Sequence, residues 1–490
     1  MEEAWVERRQ GTAAWWVCAA AVVVRVAVGL HSYSGRGDTP KFGDYEAQRH
    51  WMEITLNLPV GEWYVDTKDN DLGYWGIDYP PLSAYQSWLH GLLLLLLEPQ
   101  AVALGESRGY ETGTSKVLMR ATALASDVSL MFPAAILAMR AVYPGERARD
   151  RLWALALVLF HPSFVLIDHG HFQYNCISLG LTAGAVACLW RGRQYAGSFL
   201  YVLALNHKHM SLYYALAFFS YLLGGALRRP GLVQKFTTVC LLGLTVVLTF
   251  ALVWFPFLRE PGMAFKVLGR LVPLRRGVFE DYVSNFWCVS HVLIKWKRLF
   301  ANEVMANISA LATMAACAPS VVHQVLWPSK KGFLICMLNC SLAFYLFSFQ
   351  VHEKSILLPC LPSALLVLEN PMHAVYFALV STFSMLPLLV KDGLVVAYGG
   401  CLIIFCAVAG LRTDLLRPAW MKTPLAASAA IGVALSALKV AGEPPASLPY
   451  LFDLFISAFA FVHFAGFFVF WNWKLWTSYK VADKVVAKME

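Results

Sequence analysis

The sequence predicts an all-α polytopic membrane protein, and three observations carry that prediction. Of its 490 residues, 58% are apolar or aromatic and 14% are charged. An ordinary soluble domain is about 45–50% apolar and about 25% charged. Fourteen apolar runs, most of them near the length that crosses a bilayer, are spread over the whole chain. Lys and Arg collect in alternate turns between those runs, the pattern of cytosolic loops. This composition excludes a soluble enzyme, a disordered chain and a fibrous repeat.

The elements follow in order. The charged start Glu2, Glu3, Arg8 and Arg9 leads into the run 13–30, which reads as a first span and not as a removed signal, since no small-residue cleavage site follows. The next runs are 117–142, 151–167, 176–190, 195–206, 210–226 and 236–257. After them come 303–327, 333–350, 355–369, 372–390, 394–411, 424–441 and 451–473. Arg140, Arg147, Arg149 and Arg151 flank the turn after the second run, and Arg191 with Arg193 the turn after the fourth. Arg228, Arg229, Lys235, Lys330, Lys331, Arg412, Arg417, Lys422 and the tail lysines 480, 484 and 488 fall on the same side. Both termini are therefore expected in the cytosol.

The opposite face receives two long non-spanning stretches, 31–116 and 258–302. Long loops in a protein of short turns usually carry function. The first is rich in Asp, Glu, Trp and Tyr, and its run Leu82 to Leu97 suits a helix lying on the membrane surface. No linker, low-complexity tract or internal repeat divides the chain, so residues 1–490 read as one integral membrane domain.

The net charge of +9 comes with no basic stripe interleaved with aromatics, so no nucleic acid is expected as a partner. The eleven cysteines lie mostly within apolar runs, with no Cys-x-x-Cys pair and no Cys/His group at zinc spacing. No obligate protein partner is evident.

Four polar clusters fall on the predicted non-cytosolic face: Gly43–Trp51, Trp75–Pro81, Asp168–Asn175 and Val351–Lys354. Lys208, between His207 and His209, joins them. So does a basic stretch with Arg270, Arg275 and Arg276 beside Glu280 and Asp281. Carboxylates, imidazoles and cations at one membrane surface suit a reaction on a polar head group whose tail stays in lipid. A carboxylate such as Asp44 can take a proton from a sugar hydroxyl. Lys208 with Arg270 or Arg275 can hold a phosphate, and a phosphate leaving group needs charge stabilisation more than a general acid. One base opposite the leaving group implies inversion at the sugar carbon.

Spacing alone leaves structural readings open. Asp44 stands where a helix N-cap belongs. Asp78 precedes Tyr79-Pro80-Pro81 and can organise a turn. His169 and His171 at i, i+2 make a poor metal site. Glu353 and Lys354 can pair with each other or cap a helix, and Arg275 with Arg276 can contact lipid head groups. Arg25 and Asp127 sit in the first two runs, where an ion pair locking two helices is the simplest role.

The motifs Gly43-Asp44-Tyr45-Glu46-Ala47-Gln48-Arg49-His50-Trp51, Tyr74–Leu82, Ile167–Asn175, Gly277–Asp281, Phe349–Ser355 and Ser381–Pro387 closely resemble the dolichyl-phosphate-glucose-dependent α-1,3-glucosyltransferases of the endoplasmic reticulum. The resemblance runs from about residue 30 to 392 with the motifs in the same order. It implies a GT-C glycosyltransferase fold with about fourteen transmembrane helices, a long first luminal loop, a luminal active site, inversion and no required metal or other cofactor. It also implies two lipid-tailed substrates, dolichyl phosphate glucose and a dolichyl pyrophosphate oligosaccharide. Asp44 matches the family's catalytic base, and His352 a position near the donor phosphate. Lys208, Arg270 and Arg275, with Asp78, His169, His171, Arg49 and Glu353, fall in matching segments as candidate substrate-binding residues. The sequence departs from the family at His207, His209 and Tyr282. Within the family it resembles members that add the first glucose to the nine-mannose glycan more than those that add the second. A polytopic transporter is the rival from another class. Transporters place polar residues at mid-membrane in repeated, broken helices, whereas here they gather at one surface.

Overall fold

The computed structural model of the chain describes residues 2–271, 279, 282–416 and 422–478. All fourteen apolar runs are helical. Among the described residues, nine helices are long and apolar enough to cross a membrane. The other five runs form shorter or broken helices: Asn175–Trp190, Gln194–His207, the stretch from Leu357 to Leu365, the pair Pro371–Ser384 and Leu386–Lys391, and Val395–Gly410. Pro362 lies inside one of these and Pro387 at the break of another, where a missing N–H interrupts the backbone ladder.

Burial does not follow helix length: Val395–Gly410 leaves Val396 and Ile403 exposed, while two helices of different length are enclosed. Asn175–Trp190 packs between Gln194–His207 and Phe132–Val142, and Lys330–Phe347 between Asn302–Leu326 and Leu451–Ser478. The long helices at the periphery carry their apolar side chains outward: Leu232, Val233, Phe236 and Leu252 are all exposed, as lipid-facing positions require.

Two helices contain a π-helical turn, at Asp127–Met131 and at Leu166–Phe172. A π turn widens the helix locally and often marks a functional position. These two turns carry Asp127, Asp168, His169 and His171. Arg25 from the first span pairs with Asp127, as the sequence suggested, and donates to the Leu159 carbonyl at 2.8 Å. His169 Nε2 closes on the same Asp127 oxygen at 2.9 Å.

The first long loop folds into the helices Asp44–Asn57, Leu72–Trp75 and Pro81–Leu97, joined by 3-10 turns. Pro81–Leu97 leaves Trp88, Leu89, Leu92 and Leu96 exposed, an apolar flank suited to a bilayer surface. The second loop contributes Met263–Leu271, Phe286–Ser290 and Trp296–Leu299. Arg275, Arg276, Glu280 and Asp281 lie outside the described residues.

Candidate active site

The helix that carries Asp44 begins at Asp44 itself, with Gly43 as its N-cap. Gly43 has no side chain to cap with, and none would fit. A Cβ there would lie 2.5 Å from Ser34 Oγ and 2.6 Å from the Ser34 backbone. The close approach lets Ser34 Oγ accept from the Asp44 N–H at 3.2 Å. Asp44 is thus not the N-cap that spacing suggested, and its carboxylate is free to face the third and fourth clusters.

Three donors converge on Asp44 Oδ2. His171 Nε2 lies at 3.0 Å, and both Gln173 Nε2 and Lys354 Nζ donate to the same oxygen. Burial alone would raise this carboxyl, but the Lys354 ammonium and then His171 hold it well below the ordinary carboxylate range. Behind it, His171 Nδ1 lies 2.6 Å from Asp392 Oδ2. A carboxylate thus faces each ring nitrogen, and Lys354 Nζ also lies 3.2 Å from Nε2.

Lys208 lies beside this group at the end of the helix Gln194–His207. Its Nζ donates to Asn175 Oδ1 at 2.5 Å and reaches Gln173 Oε1 at 3.5 Å. It also sits 5.0 Å from the centre of the Tyr79 ring. Burial, followed by the charge of Lys354, lowers the ammonium to about 8. Gln48, Tyr79, Gln86, Gln173, His207 and Lys208 line a narrow cleft. It is a cationic, mostly neutral-walled slot next to an ionised carboxylate.

The backbone is strained at the edges of this site. Phe42, Phe172 and Gln350 are the non-glycine residues with positive φ among those described, at 59°, 91° and 59°. The first precedes Gly43-Asp44, the second separates His171 from Gln173, and the third introduces Val351-His352. Each costs roughly 1–3 kcal/mol and persists where the surroundings over-determine it, typically at functional sites.

The other predicted residues divide. His352 is partly exposed and lies 3.6 Å from Glu353 Oε2. Burial would raise the Glu353 carboxyl, and His352 holds it below the usual range. Glu353 and Lys354 therefore do not pair with each other: each takes a different partner. Asp78 is half-buried and acts on Lys208 through its charge. Arg270 donates to the carbonyls of Gly76 and Ile77 at 3.1 and 3.3 Å, tying the second loop to the first. His169 is engaged by Asp127 and not by the Asp44 group.

Arg49 is also elsewhere. It is fully buried and its guanidinium is spent on Glu46, Glu53, Ser107 and the Ala101 carbonyl. Its placement is that of a scaffold for the first loop, not of a substrate ligand. Its carboxylates stand at i−3 and i+4, a spacing that already announces pairing on one helix face. Among the described residues no three His, Cys, Asp or Glu side chains are grouped to hold a metal ion.

Lys354, Gln173 and Asp392 were not among the predicted site residues. Lys354 and Gln173 lay inside quoted motifs. Asp392 carried a weaker signal, a carboxylate in a short turn between two apolar runs.

A family model described as the ALG6, ALG8 glycosyltransferase family matches residues 21–471. The chain belongs to that family. It is 45% identical to the probable dolichyl pyrophosphate Man9GlcNAc2 alpha-1,3-glucosyltransferase of Arabidopsis thaliana, over 96% of this chain and 92% of the relative. It is 41% identical to the dolichyl pyrophosphate Man9GlcNAc2 alpha-1,3-glucosyltransferase of Gallus gallus, covering 92% and 94%. The probable enzyme of the same name in Drosophila melanogaster is 42% identical, covering 92% and 96%. The resemblance read from the motifs therefore holds over nearly the whole chain of this polytopic glycosyltransferase, and the family match continues to residue 471, well past the last motif.

Proposed function

We propose that this chain transfers glucose from dolichyl phosphate glucose to the dolichyl pyrophosphate-linked Man9GlcNAc2 glycan, forming its first α-1,3-linked glucose. The reading places the site on the luminal face of the endoplasmic reticulum membrane, with both termini cytosolic. The observation that carries it is the juxtaposition of the partly exposed Asp44 carboxylate with the buried Lys208 cation, the two joined through Gln173.

In this mechanism Asp44 accepts the proton of the acceptor mannose hydroxyl as that oxygen attacks C1 of the glucose. The C1–oxygen bond to phosphate breaks, the new glycosidic bond forms, and C1 inverts. The departing phosphate gains one negative charge. Lys208, on one side of Asp44, and His352, beside Lys354, are the groups we assign to that charge. The tails of both substrates remain in the bilayer along the apolar flank of Pro81–Leu97. No metal ion enters these steps.

The test is transfer by purified protein supplied with dolichyl phosphate glucose and unglucosylated glycan, with and without EDTA. We expect transfer to the nine-mannose glycan that is insensitive to EDTA and lost in Asp44→Asn. Full activity of Asp44→Asn would remove the base assignment. Transfer only to glycan already carrying one glucose would reassign the acceptor.

A further inference from the structure

We propose that Asp392, acting through His171, is a positioning residue for Asp44. The proposal deepens the reading of Asp44 as the base and rests on it. Asp392 lies in the tight turn between the helices Leu386–Lys391 and Val395–Gly410, where Gly393 at φ 71° reverses the chain. Its side chain is 3% exposed, and its carboxylate meets the His171 ring at 2.6 Å. His171 is 2% exposed and spans the gap, with one ring nitrogen on Asp392 and the other on Asp44.

A carboxylate buried this deeply is costly unless it is paired and hydrogen-bonded. A neutral acceptor would hold the ring in place equally well. The charge of Asp392 is what a neutral side chain does not supply. That charge favours the doubly protonated ring, the one form of His171 that donates to both carboxylates at once. The bond also fixes the ring plane, so that Nε2 points at Asp44 Oδ2.

The charged groups around this chain set its balance. Lys354 Nζ contacts both Asp44 and His171 Nε2, the latter at 3.2 Å. Lys208 acts on Asp44 from the cleft. Arg120, whose guanidinium donates to the Ser32 and Gly170 carbonyls, acts on Asp392. These account for two carboxylates, one imidazole and three cations. Removing the Asp392 charge favours loss of the second ring proton, and with that proton goes the positive charge His171 holds against Asp44, a larger effect at 3.0 Å than the loss of the more distant Asp392 anion.

The test compares Asp392→Asn, Asp392→Glu and Asp392→Ala with the parent protein across pH. The substrates are dolichyl phosphate glucose and the nine-mannose lipid-linked glycan. Asn keeps an acceptor for the ring N–H and loses the charge. We expect kcat to fall roughly tenfold to a hundredfold, the range for groups that orient a reacting side chain from behind. KM for both substrates should stay near the parent's. The acid limb of the pH–rate profile should move to higher pH, as Asp44 becomes easier to protonate. Glu should return the limb toward its original position, and Ala should lie below Asn in kcat. In a double-mutant cycle, Asp392→Asn should cost little more once His171→Gln has been introduced.

A lowered plateau with an unmoved acid limb, or additive losses with His171→Gln, would reduce Asp392 to a structural residue and overturn the proposal. Thermal unfolding of each variant separates lost protein from lost function, and Asp392→Glu keeps the comparison open should Asn unfold. Asp44→Asn runs alongside. If it retains full activity, the base reading fails. If it is inactive while Asp392→Asn matches the parent, only the present proposal fails.

Discussion

Lys354 and Asp44 stand 310 residues apart in the chain and form an ion pair at the centre of the site. The lysine comes from the short turn Glu353–Ile356, and the aspartate from the first turn of the helix Asp44–Asn57. Neither is at the surface: the side chains are 16% and 24% exposed. The isolated Phe279–Val351 bridge brings the second long loop to the residue just before His352. The two outer loops and the turn of Lys354 thus form one structure around the carboxylate. In the proposed mechanism a phosphate held by His352 would act on Lys354, two residues away, and so link donor binding to the basicity of Asp44.

Lys354→Met should therefore do more than weaken binding. Lys354 is the largest influence holding the Asp44 carboxyl down. With it gone, burial pushes that carboxyl up, and the acid limb of kcat/KM should rise by a pH unit or more, on the order of the effect of an adjacent charge. Lys354→Arg should keep most of the low-pH activity. A pH–rate comparison of the three proteins checks this. Identical limbs would mean that the ion pair does not tune the base.

Lys208 gives the opposite pH dependence. Its ammonium is lowered to about 8, so its charge is present below that pH and lost as pH rises through it. As a phosphate ligand in the proposed mechanism, it should make KM for dolichyl phosphate glucose climb on the alkaline side, between about pH 7 and 9. Lys208→Arg stays charged throughout and should flatten that rise, while Lys208→Gln should show the high KM at every pH. Donor KM measured across pH for the three proteins decides it.

The sequence carried some of this site and not the rest, for physical reasons. Asp44, His171 and Lys208 were legible because each sits in a contiguous polar run at the end of an apolar one. The pairing of Lys354 was not. Adjacent Glu353 and Lys354 look like each other's partner, and only the tertiary fold turns one to His352 and the other to Asp44. Asp392 is a single carboxylate whose meaning depends on a helix packed against it from 221 residues away. For the fold, hydropathy located all fourteen helical runs but could not tell lipid-facing helices from those buried among others. Both are equally apolar, and only packing separates them.

Arg49 should prove a stability residue. Arg49→Met leaves Glu46 and Glu53 buried without their cation, at a cost of about 3–5 kcal/mol. Arg49→Lys should recover little, because one ammonium cannot replace a guanidinium that bonds both carboxylates, Ser107 and a backbone carbonyl. Burial would raise Glu53, but His50 and then Arg49 bring it down to about 2. A carboxylate held below its unfolded value stabilises the fold above that value. This contribution should fade as pH drops from about 4.3 toward 2. Thermal unfolding in detergent, at neutral pH and stepwise into acid, measures both effects.

The Arg25–Asp127 pair offers the sharpest test of the transmembrane scaffold. It joins the first span to the π turn of the second, and through His169 to the π turn that carries His171. Arg25→Leu strands a carboxylate in the apolar interior and should cost about 3–5 kcal/mol. Asp127→Leu strands the guanidinium, which retains the Leu159 carbonyl and a place 4.7 Å from the Phe132 ring centre, and it also takes the acceptor from His169, so it too should destabilise. The double replacement removes both charges and should unfold at a higher temperature than Arg25→Leu alone. His169 then lacks its acceptor, so recovery should stop short of the parent. Melting temperatures of the four proteins complete the cycle. If the double variant loses the sum of the single losses, the two residues do not stabilise the protein as a pair.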